Sequence, residues 1–291
     1  LVDAGDTVWI DAGFYYETNY FHIDTGPLWL IGADSALTVL DFLDSSAMPG
    51  VVAETTAQLT LRDFAVRRAY MGVYTLNVDS SGFTRLRLFD NSIGLYLRTG
   101  SDSNLISECL CHNNGNAGMI VENSHINTLM TNLSQNNLSG ITLTMASSAN
   151  RILGNRAFGN RSEGFYLSTA HNNLVEDNLS RQNQYGFVIS NYSDGNTLAR
   201  NVSQDNDSYG VLLSASNTVI SQNTVDSNGI WSFSCYLSGN DTITKNNLGG
   251  SSLRPDSIVL SSCTQVLDFT RNWWGTVDSS RIRARIWGSG R

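Results

Sequence analysis

Short apolar segments recur along the chain at a nearly fixed spacing, and a glycine opens each one. The glycines are Gly72, Gly94, Gly118, Gly140, Gly164, Gly186 and Gly210, with steps that alternate between 22 and 24 residues. Apolar and other residues alternate after each glycine, which predicts β-strands. The segments are also too short to be helices. A constant period of about 23 residues predicts a solenoid built from one repeated coil.

Two series of asparagines keep the same period. The first is Asn132, Asn155, Asn178, Asn201, Asn223 and Asn246, and the second is Asn91, Asn114, Asn137, Asn160, Asn183, Asn206 and Asn228. Asparagine and glycine tolerate the left-handed backbone angles that tight corners need. Stacked amides can also hydrogen-bond to neighbouring coils inside the protein. Both series are therefore predicted to be structural, and they indicate two asparagine corners per coil.

Three sets of residues occupy the positions expected to point inward, and they predict three walls of a core. They are Leu129, Ile152, Val175, Leu198, Val219 and Ile243; Leu97, Val121, Leu143, Leu167, Ile189 and Leu213; and Cys111, Ser134, Ala157, Ser180, Ser203 and Val225. The predicted fold is an all-β parallel β-helix of about eleven coils with three short sheets. Parallel crossovers are almost always right-handed, so a right-handed coil is expected.

One domain over residues 1–291 accommodates the whole pattern. Residues 1–49 are predicted to form irregular early coils, 50–257 the regular repeats, and 258–291 a last coil with an aromatic cap. Large aromatic residues in Asn272-Trp273-Trp274-Gly275 suit a plug over an exposed core.

The repeats resemble the NosD-like family of parallel β-helix proteins, whose PbH1 repeats are also described as carbohydrate-binding and sugar-hydrolase (CASH) repeats. The opening Gly5-Asp6-Thr7-Val8-Trp9-Ile10-Asp11-Ala12-Gly13, the glycine and asparagine coils, and the closing Asn272-Trp273-Trp274-Gly275-Thr276-Val277-Asp278 carry the likeness. The resemblance implies the fold, and it leaves function open among periplasmic, surface-layer, adhesive and polysaccharide-modifying proteins. The capping helix usual before the first coil is missing, which predicts a processed or excised form.

The charge and composition of the chain limit the kinds of partner that it is expected to bind. Only 15% of the 291 residues are charged and the net charge is −8, so nothing in the sequence favours nucleic acid. No apolar run approaches the ~18 residues of a membrane span. The four cysteines, Cys109, Cys111, Cys235 and Cys263, contain no C-x-x-C pair, and buried free thiols are expected, with a disulfide as the alternative.

A catalytic or metal site is not predicted. The Asp-Asp and Gly-His-Gly strings of polygalacturonase-like enzymes and the Asp-Pro-His-Asp string of mannuronan epimerase-like enzymes are absent. Asp177 with Arg200, and Glu108 with Arg85, are better interpreted as ion pairs between coils than as acid and base. His125 and His171 are two coils apart, about 9.6 Å by strand spacing, so a shared metal is not expected, and no cofactor is predicted.

An outward apolar column is the candidate binding surface. It comprises Tyr74, Tyr96, Ile120, Thr142, Tyr166, Val188 and Leu212, and is called the strip below. Contiguous apolar surface often marks a partner site, so a non-catalytic extracellular or cell-surface protein, with a periplasmic location as an option, is expected to self-associate or pack with envelope proteins. The alternative is a protein that binds or modifies a polysaccharide, because aromatic side chains also contact sugars.

Overall fold

The computed structural model describes residues 3–45, 47–236, 239–250, 258–261 and 268–288. They form three parallel sheets that wind around one core. Sheet A contains β1 (Thr7–Ile10), β4 (Leu28–Gly32), β7 (Leu59–Arg62), β10 (Gly82–Thr84), β13 (Leu105–Ser107), β16 (Thr128–Met130), β19 (Arg151–Leu153), β22 (Leu174–Glu176), β25 (Thr197–Ala199), β28 (Val219–Ser221) and β31 (Thr242–Thr244). Sheet B contains β2 (Gly13–Tyr16), β5 (Thr38–Ser45), β8 (Ala65–Ala69), β11 (Arg87–Phe89), β14 (Leu110–His112), β17 (Leu133–Gln135), β20 (Arg156–Phe158), β23 (Leu179–Arg181), β26 (Val202–Gln204), β29 (Thr224–Asp226) and β32 (Asn247–Leu248).

Sheet C has the longest strands of the repeat. It contains β3 (Phe21–Ile23), β6 (Val51–Ala57), β9 (Met71–Asp79), β12 (Ile93–Arg98), β15 (Ala117–Glu122), β18 (Ser139–Thr144), β21 (Glu163–Ser168), β24 (Tyr185–Ser190), β27 (Tyr209–Leu213), β30 (Trp231–Tyr236), β33 (Ile258–Ser261) and β34 (Ile286–Gly288). One short helix, α1 (Ser279–Arg285), precedes β34. The predicted all-β parallel β-helix with three sheets and coils of about 23 residues is confirmed.

Three asparagine ladders run along the described coils. The first ladder lies between sheets A and B, and the second lies between sheets B and C. Sequence analysis missed a third, between sheets C and A, formed by Asn104, Asn127, Asn150, Asn173 and Asn196 and continued by Thr218 and Asp241. The expectation of two asparagine corners per coil was therefore wrong.

The ladder side chains join consecutive coils through buried hydrogen bonds. Asn155 N donates to Asn178 Oδ1 at 2.8 Å, and Asn178 N donates to Asn201 Oδ1 at 2.9 Å. The left-handed residue of each corner is the one before the asparagine, as at Thr131 (φ 55°) and Asn136 (φ 55°). The ladder asparagines therefore serve hydrogen bonding, and their neighbours absorb the turn.

The repeated glycines open sheet C because the coils approach closely there. A Cβ on Gly140 would overlap the carbonyl oxygen of Gly164, and a Cβ on Gly186 would overlap the carbonyl oxygen of Gly210. None of these glycines has a positive φ. Their role is the absence of a side chain rather than an unusual backbone angle.

The core walls follow the predicted register with one slip. Val219 is exposed, and its neighbour Ile220 is the inward residue, paired with Leu198 and Ile243. Ile220 lies three positions before Asn223, as Leu198 lies three before Asn201, so the wall keeps its register and the prediction of Val219 was one position too early. Sheet C adds an inward column that includes Phe165 and Phe187, whose rings stack 4.8 Å apart.

At the carboxyl-terminal end, Trp274 joins the core cluster and Phe269 packs against it, whereas Trp273 is half exposed. Asp278 caps α1 by accepting hydrogen bonds from the backbone N–H groups of Ser280 and Arg281. Cys263 lies outside the described residues. No helix in the described part of the chain is long and apolar enough to span a membrane.

Candidate functional site: the outer face of sheet C

The strip is one continuous column on the outer face of sheet C. Tyr96 pairs in register with Tyr74 and Ile120, and Tyr166 pairs with Thr142 and Val188. No charged residue interrupts the column from Tyr74 to Leu212. The corresponding outward columns of sheets A and B are interrupted by Arg151 and Arg156.

Neighbouring coils shield much of the strip from water. Val188 is only 6% exposed, and the other members are half-buried. The Tyr74 and Tyr96 rings meet edge to face with their centroids 5.8 Å apart. The strip therefore offers less apolar area for a protein contact than a fully exposed column would.

A polar cluster adjoins the first tyrosines of the strip. Tyr96 Oη donates a hydrogen bond to Glu122, and Arg98 Nε contacts Glu122 Oε1 at 3.1 Å. Burial, together with the hydrogen bond and the negative charge of Glu122, raises the pKa of Tyr96. Tyr96 is consequently a fixed donor, and Glu122 is occupied by two partners rather than free to act as a base.

A second aromatic column lies beside the strip and was not predicted. Tyr185, Tyr209 and Trp231 occupy the position just before the repeated glycine or its equivalent, and they are in register with one another. The Tyr185 and Tyr209 rings stack with centroids 5.6 Å apart. The signal was present in the sequence, but each strand was predicted to begin at the glycine, and the position before it was not considered.

Hydroxyl and amide groups line the other side of the strip. Ser168, Ser190 and Thr144 occupy one outward column of sheet C. Asn191 Nδ2 donates to Ser168 Oγ at 2.9 Å and contacts Tyr166 Oη at 3.3 Å. The outer face of sheet C thus combines aromatic rings with small hydrogen-bonding groups.

Three of the four charged residues considered as catalytic candidates form ion pairs, namely Asp177, Arg200 and Arg85. Arg200 Nε contacts Asp177 Oδ1 at 2.9 Å, and another nitrogen of Arg200 contacts Glu176 Oε1 at 2.7 Å. Asp177 and Glu176 therefore converge on one guanidinium, which neutralises part of their charge. Sequence analysis expected Arg85 to pair with Glu108. Arg85 instead binds Asp63 of the preceding coil, with an N–O distance of 2.6 Å.

The histidines and cysteines are dispersed. His125 Nδ1 lies 2.8 Å from Ser148 Oγ, and His22 lies 3.3 Å from Glu54. Cys109, Cys111 and Cys235 are buried free thiols. Across the described ranges, no group of three or more His, Cys, Asp and Glu side chains could hold a metal ion.

Stacked coils of about 23 residues, three parallel sheets and asparagine ladders define a parallel β-helix repeat protein. The model of the family described as periplasmic copper-binding protein (NosD) matches residues 36–202 and 144–264. The chain therefore belongs to the NosD family. No curated protein sequence matches it significantly.

Solved structures share the fold at low sequence identity. The mannuronan C-5 epimerase AlgE4 A-module of Azotobacter vinelandii has a TM-score of 0.68 and 16% identity, with 98% of this chain and 91% of that one covered. DFA-IIIase from Arthrobacter chlorophenolicus A6 in complex with GF2 has a TM-score of 0.73 and 11% identity, with coverage of 97% and 87%. The Dettilon tailspike protein has a TM-score of 0.73 and 15% identity, with coverage of 98% and 62%.

Proposed function

We propose that the protein is a non-catalytic β-helix of the periplasm or cell exterior that binds a neutral glycan along the outer face of sheet C. The observation that carries the proposal is the uncharged strip, flanked on one side by Tyr185, Tyr209 and Trp231 and on the other by a column of hydroxyl groups. Sugars present apolar C–H groups beside hydroxyl groups, and aromatic and hydroxyl side chains complement both.

The charge of this face favours a neutral glycan over an acidic one. From β12 to β27, the charged residues of the sheet C strands are Arg98, Glu122 and Glu163. Arg98 is already paired with Glu122, and Glu163 adds a negative charge. No unpaired cation on these strands is available to attract a polyanion.

The fold supports the same proposal. The epimerase and DFA-IIIase structures show that β-helices of this shape serve carbohydrate-acting proteins. Catalysis is not proposed, because Glu122 is bound to Tyr96 and Arg98, and the candidate carboxylate Asp177 is paired with Arg200.

Copper enters only through the family description, and the described residues do not fit it. Burial raises the pKa of Cys109 to about 12 and that of Cys111 well above its usual value. A cysteine binds metal as the thiolate, which burial disfavours here. The described residues also contain no group of three or more His, Cys, Asp and Glu side chains that could hold a copper ion.

Affinity electrophoresis through gels that contain soluble neutral polysaccharides, with alginate as the acidic comparison, tests the proposal. Wild type should be retarded by at least one neutral polymer, and Tyr166→Ala should weaken binding about tenfold, or ~1.4 kcal/mol. Tyr16→Ala removes an exposed tyrosine from sheet B and is the matched control. Binding unchanged in Tyr166→Ala, or no retardation in any gel, would exclude this site.

Protein contact through the strip is the second candidate, favoured by the continuous apolar register from Tyr166 through Val188 to Leu212. Replacing Tyr166 and Val188 with lysine places charge in the strip and leaves the inward walls unchanged. If light scattering shows that wild type self-associates and this variant does not, while circular dichroism shows an intact fold, the strip is a protein interface.

A further inference from the structure

The outer face of sheet B carries the same Arg-x-Phe tripeptide twice. Arg87-Leu88-Phe89 forms β11, and Arg156-Ala157-Phe158 forms β20, three coils further along the sheet. The strand register places Arg87 and Arg156 in one outward column, with Leu110 and Leu133 between them. Three steps of strand spacing separate the two arginines by about 14 Å. Two guanidinium groups therefore recur at a defined interval on one face of the sheet.

Arg87 is held in place by its neighbours. Its guanidinium carbon lies 4.3 Å from the centroid of the Phe89 ring. Its Nε donates to Nε2 of His112 at 3.1 Å, and the His112 ring stacks on Phe89 with the centroids 5.0 Å apart. Burial and the charge of Arg87 lower the pKa of His112, so the imidazole is neutral and accepts this hydrogen bond at neutral pH. The two terminal nitrogens of Arg87, which no described residue engages, are left for a bidentate contact with a carboxylate.

The protein does not neutralise either arginine with a carboxylate. The ion pairs among the described residues involve neither Arg87 nor Arg156. The four consecutive strands β11, β14, β17 and β20 contain these two cations and no acidic residue. Asp90 follows β11 and is exposed at the edge of this face. A chain with a net charge of −8 thus keeps four strands of sheet B positively charged.

The surface between the arginines is suited to sugar rings. Leu110 and Leu133 are half-buried, and Phe158 is 38% exposed. Gln135 lies beside His112 in the neighbouring outward column, and both side chains carry hydrogen-bonding groups. Sugar rings present apolar C–H groups together with hydroxyl groups, which such a mixture of side chains complements.

We propose that the outer face of sheet B binds an acidic oligosaccharide and pairs its carboxylate groups with Arg87 and Arg156. The ligand lies along the axis of the β-helix, because both arginines belong to one column. A glycan with an acidic group in each repeat presents its charges at regular intervals, whereas an acidic peptide must first be ordered at a cost in conformational entropy. This site shares no residue with the strip, so it is separate from the neutral-glycan site proposed above.

Isothermal titration calorimetry with a hexamer of galacturonate at low salt tests the proposal. Wild type should bind the hexamer, and the fully methyl-esterified hexamer, which has the same rings without the charge, should bind at least about tenfold more weakly. Arg87→Gln and Arg156→Gln should each weaken binding of the acidic hexamer about tenfold. No binding by wild type, or equal binding of the esterified hexamer, would overturn the proposal. Polyglutamate that binds as tightly as the hexamer would refute the assignment to an oligosaccharide.

Arg151→Gln is the matched control for Arg156→Gln. Arg151 is exposed like Arg156 and belongs to the same coil, but it lies on sheet A. This variant loses the same charge and should bind the hexamer as wild type does. Equal weakening in Arg151→Gln would show that net charge, and not the face of sheet B, governs binding. Arg87 packs on Phe89, so Arg156→Gln, at an exposed position, decides the test if circular dichroism shows that Arg87→Gln does not fold.

NMR signals of the histidine side chains show which face is occupied. His112 contacts Arg87 on sheet B, whereas His125 and His171 lie in turns between sheets C and A. The acidic hexamer should shift the signals of His112 and leave those of His125 and His171 unchanged. Shifts at His125 or His171 with His112 unchanged would refute the proposed site. Arg156→Gln should bind a neutral polysaccharide as wild type does, which separates this proposal from that for sheet C.

Discussion

Replacing Asn178 with leucine tests how much the asparagine ladder contributes to stability. Asn178 is buried, and its Oδ1 accepts hydrogen bonds from Asn155 N at 2.8 Å and Asn155 Nδ2 at 3.1 Å. Its Nδ2 donates to the Ile152 carbonyl at 2.7 Å and to Asn201 Oδ1 at 3.0 Å. Leucine has nearly the same shape and can form none of these four bonds.

The magnitude follows from the groups left behind. Asn155 Nδ2 still donates to the Leu129 carbonyl, and Asn201 Oδ1 still accepts from Asn178 N. The Asn155 backbone N–H and the Ile152 carbonyl each lose their hydrogen bond to the Asn178 side chain. Both groups lie at a buried position. An unsatisfied buried polar group costs ~1–3 kcal/mol, so the free energy of unfolding should fall by about 2–4 kcal/mol after the gain from apolar burial.

Thermal unfolding followed by circular dichroism measures the effect. For a domain of this size, such a loss corresponds to a decrease in Tm of roughly 3–7 °C. Asn116→Leu is the matched control, because Asn116 is exposed, and its Tm should change little. An Asn178→Leu protein that melts with wild type would refute the conclusion that ladder hydrogen bonds stabilise the stack.

Two further substitutions test other interactions. Burial raises the pKa of Asp41, but hydrogen bonds from Arg68, Leu43 N–H and Arg67 lower it more, to below the usual 3.8. Because the pKa is lower in the folded protein, the ionised Asp41 carboxylate stabilises the fold when the pH is above 3.8. This stabilisation is lost as the pH falls through the lowered pKa. Asp41→Asn should therefore lower the free energy of unfolding by about 3 kcal/mol at pH 7 and by less below pH ~4. Urea unfolding at the two pH values measures this difference. An equal loss at both would contradict the ion-pair explanation. Gly186→Ala should destabilise the protein by at least ~1–3 kcal/mol, because the added Cβ would overlap Ser203 Oγ. Gly82→Ala is the control, because the space around Gly82 is open. Equal urea midpoints for the two variants would show that the spacing between coils adapts to the added atom.

The fold was predictable because a parallel β-helix repeats every constraint in each coil. The same residue type is needed at Asn132, Asn155 and Asn178, so the period is visible without any tertiary information. The one wrong inward assignment was Val219, because the residue that keeps the spacing of three positions before a ladder asparagine is Ile220. The third ladder was overlooked because it holds only five consecutive asparagines before Thr218 takes its place.

Side-chain partners were less predictable than backbone register. Strand alternation placed Tyr74, Tyr96 and Tyr166 on one face, but it does not indicate that Tyr96 donates to Glu122 in the neighbouring column. Nor does it determine whether Arg85 turns towards the preceding or the following coil. Those choices depend on rotamers of long side chains, which a one-dimensional pattern does not encode.

Footprinting in the presence of a retarding oligosaccharide tests the proposed glycan site most directly. Carbene or hydroxyl-radical labelling with mass spectrometry measures protection at individual side chains. Protection should concentrate on sheet C, at Tyr74, Tyr166 and Tyr209, and spare Tyr16 and Phe158 on sheet B. Protection that falls on sheet B, with sheet C labelled as in the free protein, would contradict the assignment of the binding face.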